Sequence, residues 1–198
     1  DLSFMQEDLP ILLDESQSGL GRVKKIVQDL KDFSHVDQAE RHPANLNSGM
    51  ESTLNVVWNE LKHKVELVRE LADIPDVECV PAQINQVFSN LIDNAIKYRD
   101  PARPLSITVT GDQHGQWVKY DVADTGLGIA EEFQPKVWQL FHRLDPNGSV
   151  SGEGLGLTLV QRLLDRLRGQ ITLKSTPGEG SCFTVELPAG PSSGATKT

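Results

Sequence analysis

Residues 151–158 read SGEGLGLT, with glycine at 152, 154 and 156 immediately ahead of a stretch with helical spacing. Glycines in that place let backbone N–H groups converge on an anion, and the start of the helix adds roughly half a positive charge, so a polyphosphate is the natural guest. The blander reading is a flexible loop with a glycine cap. The pattern fits neither common nucleotide fingerprint, because no Lys-Ser/Thr pair follows the glycines and no strand directly precedes them. A second group, Asp124-Thr125-Gly126-Leu127-Gly128-Ile129, follows directly on WVKYDVA. A carboxylate at a strand end can accept a hydrogen bond from an exocyclic amine such as that of adenine, and Ile129 supplies an apolar wall. An ordinary Asp-Gly turn is the alternative. In a third group, Asn90 and Asn94 lie one helical turn apart, with Lys97 following on the same side. Amide oxygens are hard ligands suited to Mg²⁺, which takes few protein ligands and completes its shell with phosphate oxygens and water. An Asn pair also occurs as a solvated face or a cap.

The elements that must position these groups are legible in the apolar spacing. Pro81 opens a helix whose buried face is Ile84, Val87, Phe88, Leu91, Ile92 and Ala95. Leu105, Ile107 and Val109 alternate, as do Val118, Tyr120 and Val122, and the DQHGQ turn between them predicts a hairpin. Residues 155–167 read as a helix stopped by Gly169, and the runs 171–173 and 183–187 as a last hairpin around PGEG. Met50, Leu54, Val57, Trp58 and Leu61 keep a helical period, and Val65, Leu67 and Leu71 alternate like a strand. Residues 124–154 are rich in glycine and turn formers, broken by a short apolar segment from Phe133 to Phe141; a loop of that length is expected to be a functional lid. The expected fold class is α+β: an α/β sandwich with helices on one face of a mixed, mainly antiparallel sheet.

Ahead of this lies a heptad pattern. Leu9, Val23 and Leu30 fall on one line, Leu12, Ile26 and Phe33 on the next, with Leu13, Leu20 and Val27 flanking, which makes a bundle seam on a long amphipathic helix. An apolar stripe of that width must dock on a neighbour or on its own copy. The polar stretch from Val36 to Leu46, with Pro43 inside it, reads as a linker. The expected organisation is therefore a helix over 1–38, a linker over 39–46, a domain over 47–188 and a flexible tail over 189–198.

Composition narrows the function classes. A formal charge of −9 over 198 residues argues against nucleic acid as the main partner, since a phosphate backbone is held by a surplus of Lys and Arg. Two cysteines, Cys79 and Cys182, are too few for a disulfide framework, so structural thiols in a reducing compartment are expected. The apolar runs are too short for a membrane span, and no signal peptide is expected, which points to the cytoplasm.

Taken in their order along the chain, the Asn helix, DTGLGI and GEGLGL closely resemble the catalytic ATP-binding domain of bacterial sensor histidine kinases, in the superfamily that also contains gyrase, the Hsp90 chaperones and the MutL repair proteins. The resemblance covers residues 47–188. NLIDNAIKY matches the N box, DTGLGI the G1 box, VWQLFHRL with Phe141 the F box and GEGLGL the G2 box; the PGEGSCF turn is also similar to the family's. The resemblance implies that Asp124 holds the adenine amine beside Gly126, Gly128 and Ile129, that Asn94 binds Mg²⁺ and that Asn90 lies near the phosphates. It implies further that Lys97 and Arg143 neutralise phosphate charge, that Tyr98 packs near the nucleoside, and that Gly152, Gly154, Leu155, Gly156 and Leu157 wrap the triphosphate. The loop from Gly126 to Gly152 would be a mobile ATP lid. Glu153 departs from the family, which more often has Ser or Thr there. The helix over 8–36 resembles the second helix of the dimerisation and phosphotransfer hairpin, which implies a homodimer.

Superfamily members that hydrolyse ATP carry a glutamate one turn before the magnesium Asn. Here that position is Asn90, whose amide has no useful basicity, so slow hydrolysis and phosphoryl transfer are expected. The family's acceptor is a histidine followed by an acidic residue and, a few positions on, a proline. His35, His42, His63, His114 and His142 all lack that context, so the acceptor is expected on a helix absent from this chain, with a response regulator receiver domain as the next partner. A nucleotide-binding module that signals by conformation, and a gyrase-type ATPase, are the competing readings.

Overall fold

The computed structural model describes residues 9, 10, 12–14, 16, 17, 19–21, 23, 24 and 27 of the N-terminal stretch, and residues 40–61, 65–142 and 154–190. The chain forms two compact units, Asp1–Gln38 and Ala39–Thr198. In the first, the described residues are helical, and Leu9, Leu12, Leu13, Leu20, Val23 and Val27 are all exposed. The heptad positions Ile26, Leu30 and Phe33, and His35, lie outside the described residues.

The second unit runs β1 (His42–Ala44), α1 (Leu46–Leu61), β2 (Val65–Leu71), β3 (Val77–Cys79), α2 (Pro81–Lys97), β4 (Leu105–His114), β5 (Trp117–Asp124), a 3-10 helix (Glu131–Lys136), α3 (Gly156–Arg166), β6 (Gln170–Thr176) and β7 (Gly180–Pro188). The strands β2-β4-β5-β7-β6 form one sheet, parallel between β2 and β4 and antiparallel elsewhere. This is the expected α/β sandwich with a mixed, mainly antiparallel sheet.

Alternation builds the core. Leu105, Ile107 and Val109 of β4, Val118, Tyr120 and Val122 of β5, and Phe183, Val185 and Leu187 of β7 are buried on the face that meets the helices. From α2 come Ile84, Val87, Phe88, Leu91, Ile92 and Ala95, the face predicted from its spacing. Gly111 lies opposite Tyr120 in the register, where a Cβ would sit 2.7 Å from Tyr120 Cε1. The glycine leaves room for the phenol ring, which packs on Phe88 at 5.1 Å and donates its hydroxyl proton to Asn47 Oδ1 at 2.5 Å. Sheet, α1 and α2 therefore meet at one aromatic pair.

Three local readings change. The stretch expected as a linker belongs to the second unit and contains β1, paired antiparallel with β3. A three-residue strand cannot show alternation, and the ring of Pro43 costs little in so short a pairing. The residue that ends α3 in the left-handed region is Arg168, with φ 57°, rather than Gly169. Gly169 serves close approach instead: a Cβ there would lie 2.6 Å from Glu186 O. Finally, Ala189 and Gly190 of the expected tail donate to Gln116 O and Asp76 O, whereas 191–198 lie outside the described residues.

Replacing Phe88, wholly buried, by alanine removes the ring against which Tyr120 packs. Urea unfolding is expected to show a loss of about 3–5 kcal/mol.

Candidate functional site

The three motifs converge because α2 runs beneath the end of β5 and the start of α3. Asn90 and Asn94 are half-buried on α2. The start of α3 lies against Asn90: a Cβ on Gly156 would come within 3.3 Å of Asn90 Oδ1. The Asn90 Nδ2 atom is buried and has no hydrogen-bond partner among the described residues. An N–H shielded in this way costs about 1–3 kcal/mol unless an acceptor takes it, and phosphate oxygen beside a helix N-terminus is such an acceptor. Among the described residues no three His, Cys, Asp or Glu side chains could hold a metal together. The donor set at Asn94 therefore fits Mg²⁺ held by one amide oxygen with phosphate oxygens and water, and does not fit a transition metal.

At the other end, Asp124 closes β5. Its Oδ1 accepts the Gly126 N–H at 2.7 Å, which folds the chain back in a tight turn. Burial pushes the Asp124 carboxyl up from its ordinary value, opposed by the backbone N–H groups of Gly126 and Ser181 and by the charge of Arg103. The turn is held from both sides. From the exit of α2, Tyr98 O accepts the Leu127 N–H at 2.9 Å, and Arg103 Nη2 donates to Gly126 O at 2.5 Å. From the last hairpin, Ser175 Oγ accepts the Ile129 N–H at 2.8 Å, and Leu127 O accepts the Gly178 N–H at 2.8 Å.

Two glycines are required here by space and dihedral together. Gly128 has φ +69°, and a Cβ on it would collide with Thr176 O; Gly180 has φ +129°, and a Cβ on it would collide with Asp124 O. The last hairpin therefore forms a floor under the G1 turn, in contact with it backbone to backbone.

Asn90 lies against Gly156, and the G1 turn that holds Asp124, Gly126, Gly128 and Ile129 is bonded to Tyr98 at the end of α2, the helix that also carries Asn94. Lys97 ends α2 and places its ammonium 5.7 Å from the ring centre of Tyr98, which caps the helix. Gly154, with φ +69°, accepts the Phe141 N–H at 3.1 Å, so the F-box and G2 segments touch. Phe141 itself is exposed and has φ 59°. Leu155 is buried and Leu157 half-buried at the start of α3. Arg143, Gly152 and Glu153 lie outside the described residues. The expected lid differs over its first half, where residues 126–142 carry a 3-10 helix and are tied down. Gln134 Nε2 donates to Ile129 O and Ser175 O, and Trp138 meets Phe183 edge-on while its carbonyl accepts the Thr158 hydroxyl. Sequence reasoning missed Arg103, Ser175 and Gln134, which act on backbone atoms of the site and belong to no spaced pattern. The two cysteines are free, and burial raises both thiols, Cys79 to about 11, as suits packing rather than reactive groups.

With this geometry in place, comparison with known proteins is decisive. Residues 79–191, more than half of the chain, match the family described as histidine kinase-, DNA gyrase B-, and HSP90-like ATPase. The chain belongs to that family. The chain is 30% identical over 190 residues to the phytochrome-like protein Cph1 of Synechocystis sp., covering 94% of this chain and 25% of Cph1. The chain thus spans about a quarter of that relative's length. The fold is shared with full-length ShkA in complex with AMPPNP, at TM-score 0.72 and 22% identity, covering 84% of this chain and 36% of that one. It is shared also with histidine kinase ThkA in complex with the response regulator protein TrrA, at TM-score 0.70 and 22% identity, covering 89% and 50%. The chain carries the catalytic ATP-binding domain of a sensor histidine kinase.

The raised Asp124 carboxyl makes a stability prediction. The folded chain binds this proton more tightly than the unfolded chain, so the group's contribution is fully present below its ordinary value of 3.8 and is lost as pH rises through the folded value. Asp124→Asn is therefore expected to raise the melting temperature of the nucleotide-free chain at pH 7, with the gain shrinking towards pH 3.5, by scanning calorimetry.

Proposed function

We propose that this domain uses Mg²⁺-ATP as a phosphoryl donor for a histidine on a helix outside this sequence, and that a response regulator receiver domain takes the group in turn. The observation that carries the phosphate end is the buried, unpartnered Asn90 amide nitrogen beside the start of α3. In this reading Asp124 accepts from the adenine amine against Ile129, Asn94 supplies the amide oxygen for the cation, and the backbone from Gly152 to Leu157 surrounds the triphosphate. Bound Mg²⁺ supplies charge neutralisation at the phosphates. Lys97 and Arg143 add positive charge, and Tyr98 packs near the nucleoside. Phe141, on the segment that reaches Gly154, packs over the site. At Asn90 an amide stands where a water-activating carboxylate is needed, so the site orients phosphate without deprotonating water. That favours transfer over hydrolysis.

Partners follow from the same reasoning. The exposed leucines and valines of the N-terminal helical residues present an apolar stripe suited to a second copy, which supports a homodimer through that helix. A complex with a response regulator is known for the structural neighbour ThkA. No helix among the described residues is long and apolar enough to cross a membrane. ATP as substrate and two free thiols support a cytoplasmic location.

Calorimetry with a non-hydrolysable ATP analogue is expected to show binding that requires Mg²⁺, weakened at least about tenfold by Asp124→Ala or Asn94→Ala, each of which removes a hydrogen bond or ligand to a charged group. Unchanged affinity in both variants defeats the assignment. Mixing with a separate phosphoacceptor domain and labelled ATP is expected to label that domain, and this chain alone is expected to remain unlabelled.

A further inference from the structure

Between α2 and β4 the chain reads Arg99-Asp100-Pro101-Ala102-Arg103-Pro104, a segment outside every motif that marks the nucleotide site. It folds as a self-closed turn. Asp100 Oδ1 accepts the Ala102 N–H at 2.9 Å, and Asp100 Oδ2 lies 3.4 Å from Arg103 Nε. The turn aims the Arg103 guanidinium at the G1 loop, where Nη2 donates to Gly126 O at 2.5 Å. Gly126 is bonded on its other side to Asp124 Oδ1, so Arg103 and Asp124 grip the same residue, one by its carbonyl and one by its N–H. Among the described residues Arg103 Nε, a buried atom on a part-exposed side chain, has no hydrogen-bond partner, and its position is fixed by the Nη2 bond to Gly126 O.

We propose that Arg103 is a positioning residue for base recognition: its guanidinium staples the G1 turn through the Gly126 carbonyl and supplies the positive charge that faces Asp124, so that the carboxylate reads the base as a hydrogen-bond acceptor. This rests on the adenine role proposed for Asp124. The chemistry follows from the two forms of a carboxyl. An ionised Asp accepts only, and so matches the amine of adenine; a protonated Asp also donates, and so tolerates the oxygen that guanine carries at the equivalent position. Burial favours the protonated form at Asp124; the backbone N–H groups of Gly126 and Ser181 act against it, followed by the charge of Arg103. Among the described residues, its partners in the sheet register, Ile107 of β4 and Ser181 of β7, carry no charge. Asp121 on the same strand bonds Lys119 and Thr184, and Asp100 is paired with Arg103 itself.

The test uses the whole chain with Arg103→Gln, which keeps a donor and removes the charge, and Arg103→Lys, which keeps the charge. The Asp124 side-chain carboxyl is titrated by carbon-detected NMR without nucleotide, and affinities for non-hydrolysable ATP and GTP analogues with Mg²⁺ are measured separately. In Arg103→Gln the titration midpoint is expected to move up, ATP-analogue affinity to fall about tenfold, as for loss of a charged hydrogen bond, and the preference for adenine over guanine to narrow. Arg103→Lys is expected to keep the parent midpoint and recover most of the affinity. An unmoved midpoint in a folded Arg103→Gln chain overturns the proposal, as does an equal movement in Arg103→Lys. Normal ATP-analogue binding by Asp124→Ala overturns instead the adenine reading beneath it, and the nucleotide-free titration tells the two failures apart.

Discussion

A carboxylate sunk at the end of a central strand is an expensive thing to keep, and the arrangement around Asp124 exists to keep it. Burial disfavours its charge. Two backbone N–H groups and one guanidinium oppose that tendency, and they come from three separate parts of the chain: the G1 turn itself, the last hairpin and the turn after α2. Remove the sheet register that sets Asp124 opposite Ser181 and the acceptor loses its support. The site is therefore a property of the whole sandwich, not of its loops.

The same constraint explains why the glycines stand where they do. Gly128 and Gly180 hold backbone dihedrals that side-chain-bearing residues rarely adopt, and each presses on a backbone oxygen with no space for a Cβ. Together with Ser175 and Gln134 they fasten the G1 turn onto the last hairpin, so the apolar wall at Ile129 is carried by the sheet. At the opposite end the start of α3 leans on Asn90. Because α2 carries both asparagines and its C-cap Tyr98 receives the Leu127 N–H, one helix links Asn90 and Asn94 to the G1 turn.

The proposed choice of chemistry turns on the side chain at Asn90. A carboxylate there would act as a base on water; an amide orients oxygen without taking its proton. The fold is common to proteins that hydrolyse ATP and proteins that pass its phosphoryl group onward, and membership of the family leaves that choice open. In the proposed reading, the amide of Asn90 on α2 favours transfer, within a framework otherwise shared.

Read without coordinates, the chain already declared the buried face of α2, the two hairpins, the helix ahead of Gly169 and the three motifs, because periodicity and glycine spacing are local signals that neighbouring residues carry together. The sandwich class followed from the order of the elements. What only the tertiary structure decided are the contacts made between backbone and distant side chains: Arg103 on Gly126, Ser175 on Ile129, β1 on β3, and Gly180 beneath Asp124. No periodicity announces these, since an arginine in a turn looks the same in sequence whether it meets water or a carbonyl. A backbone oxygen leaves no mark on the residue type that bonds it, and so the supports of the site emerge only when the chain is folded.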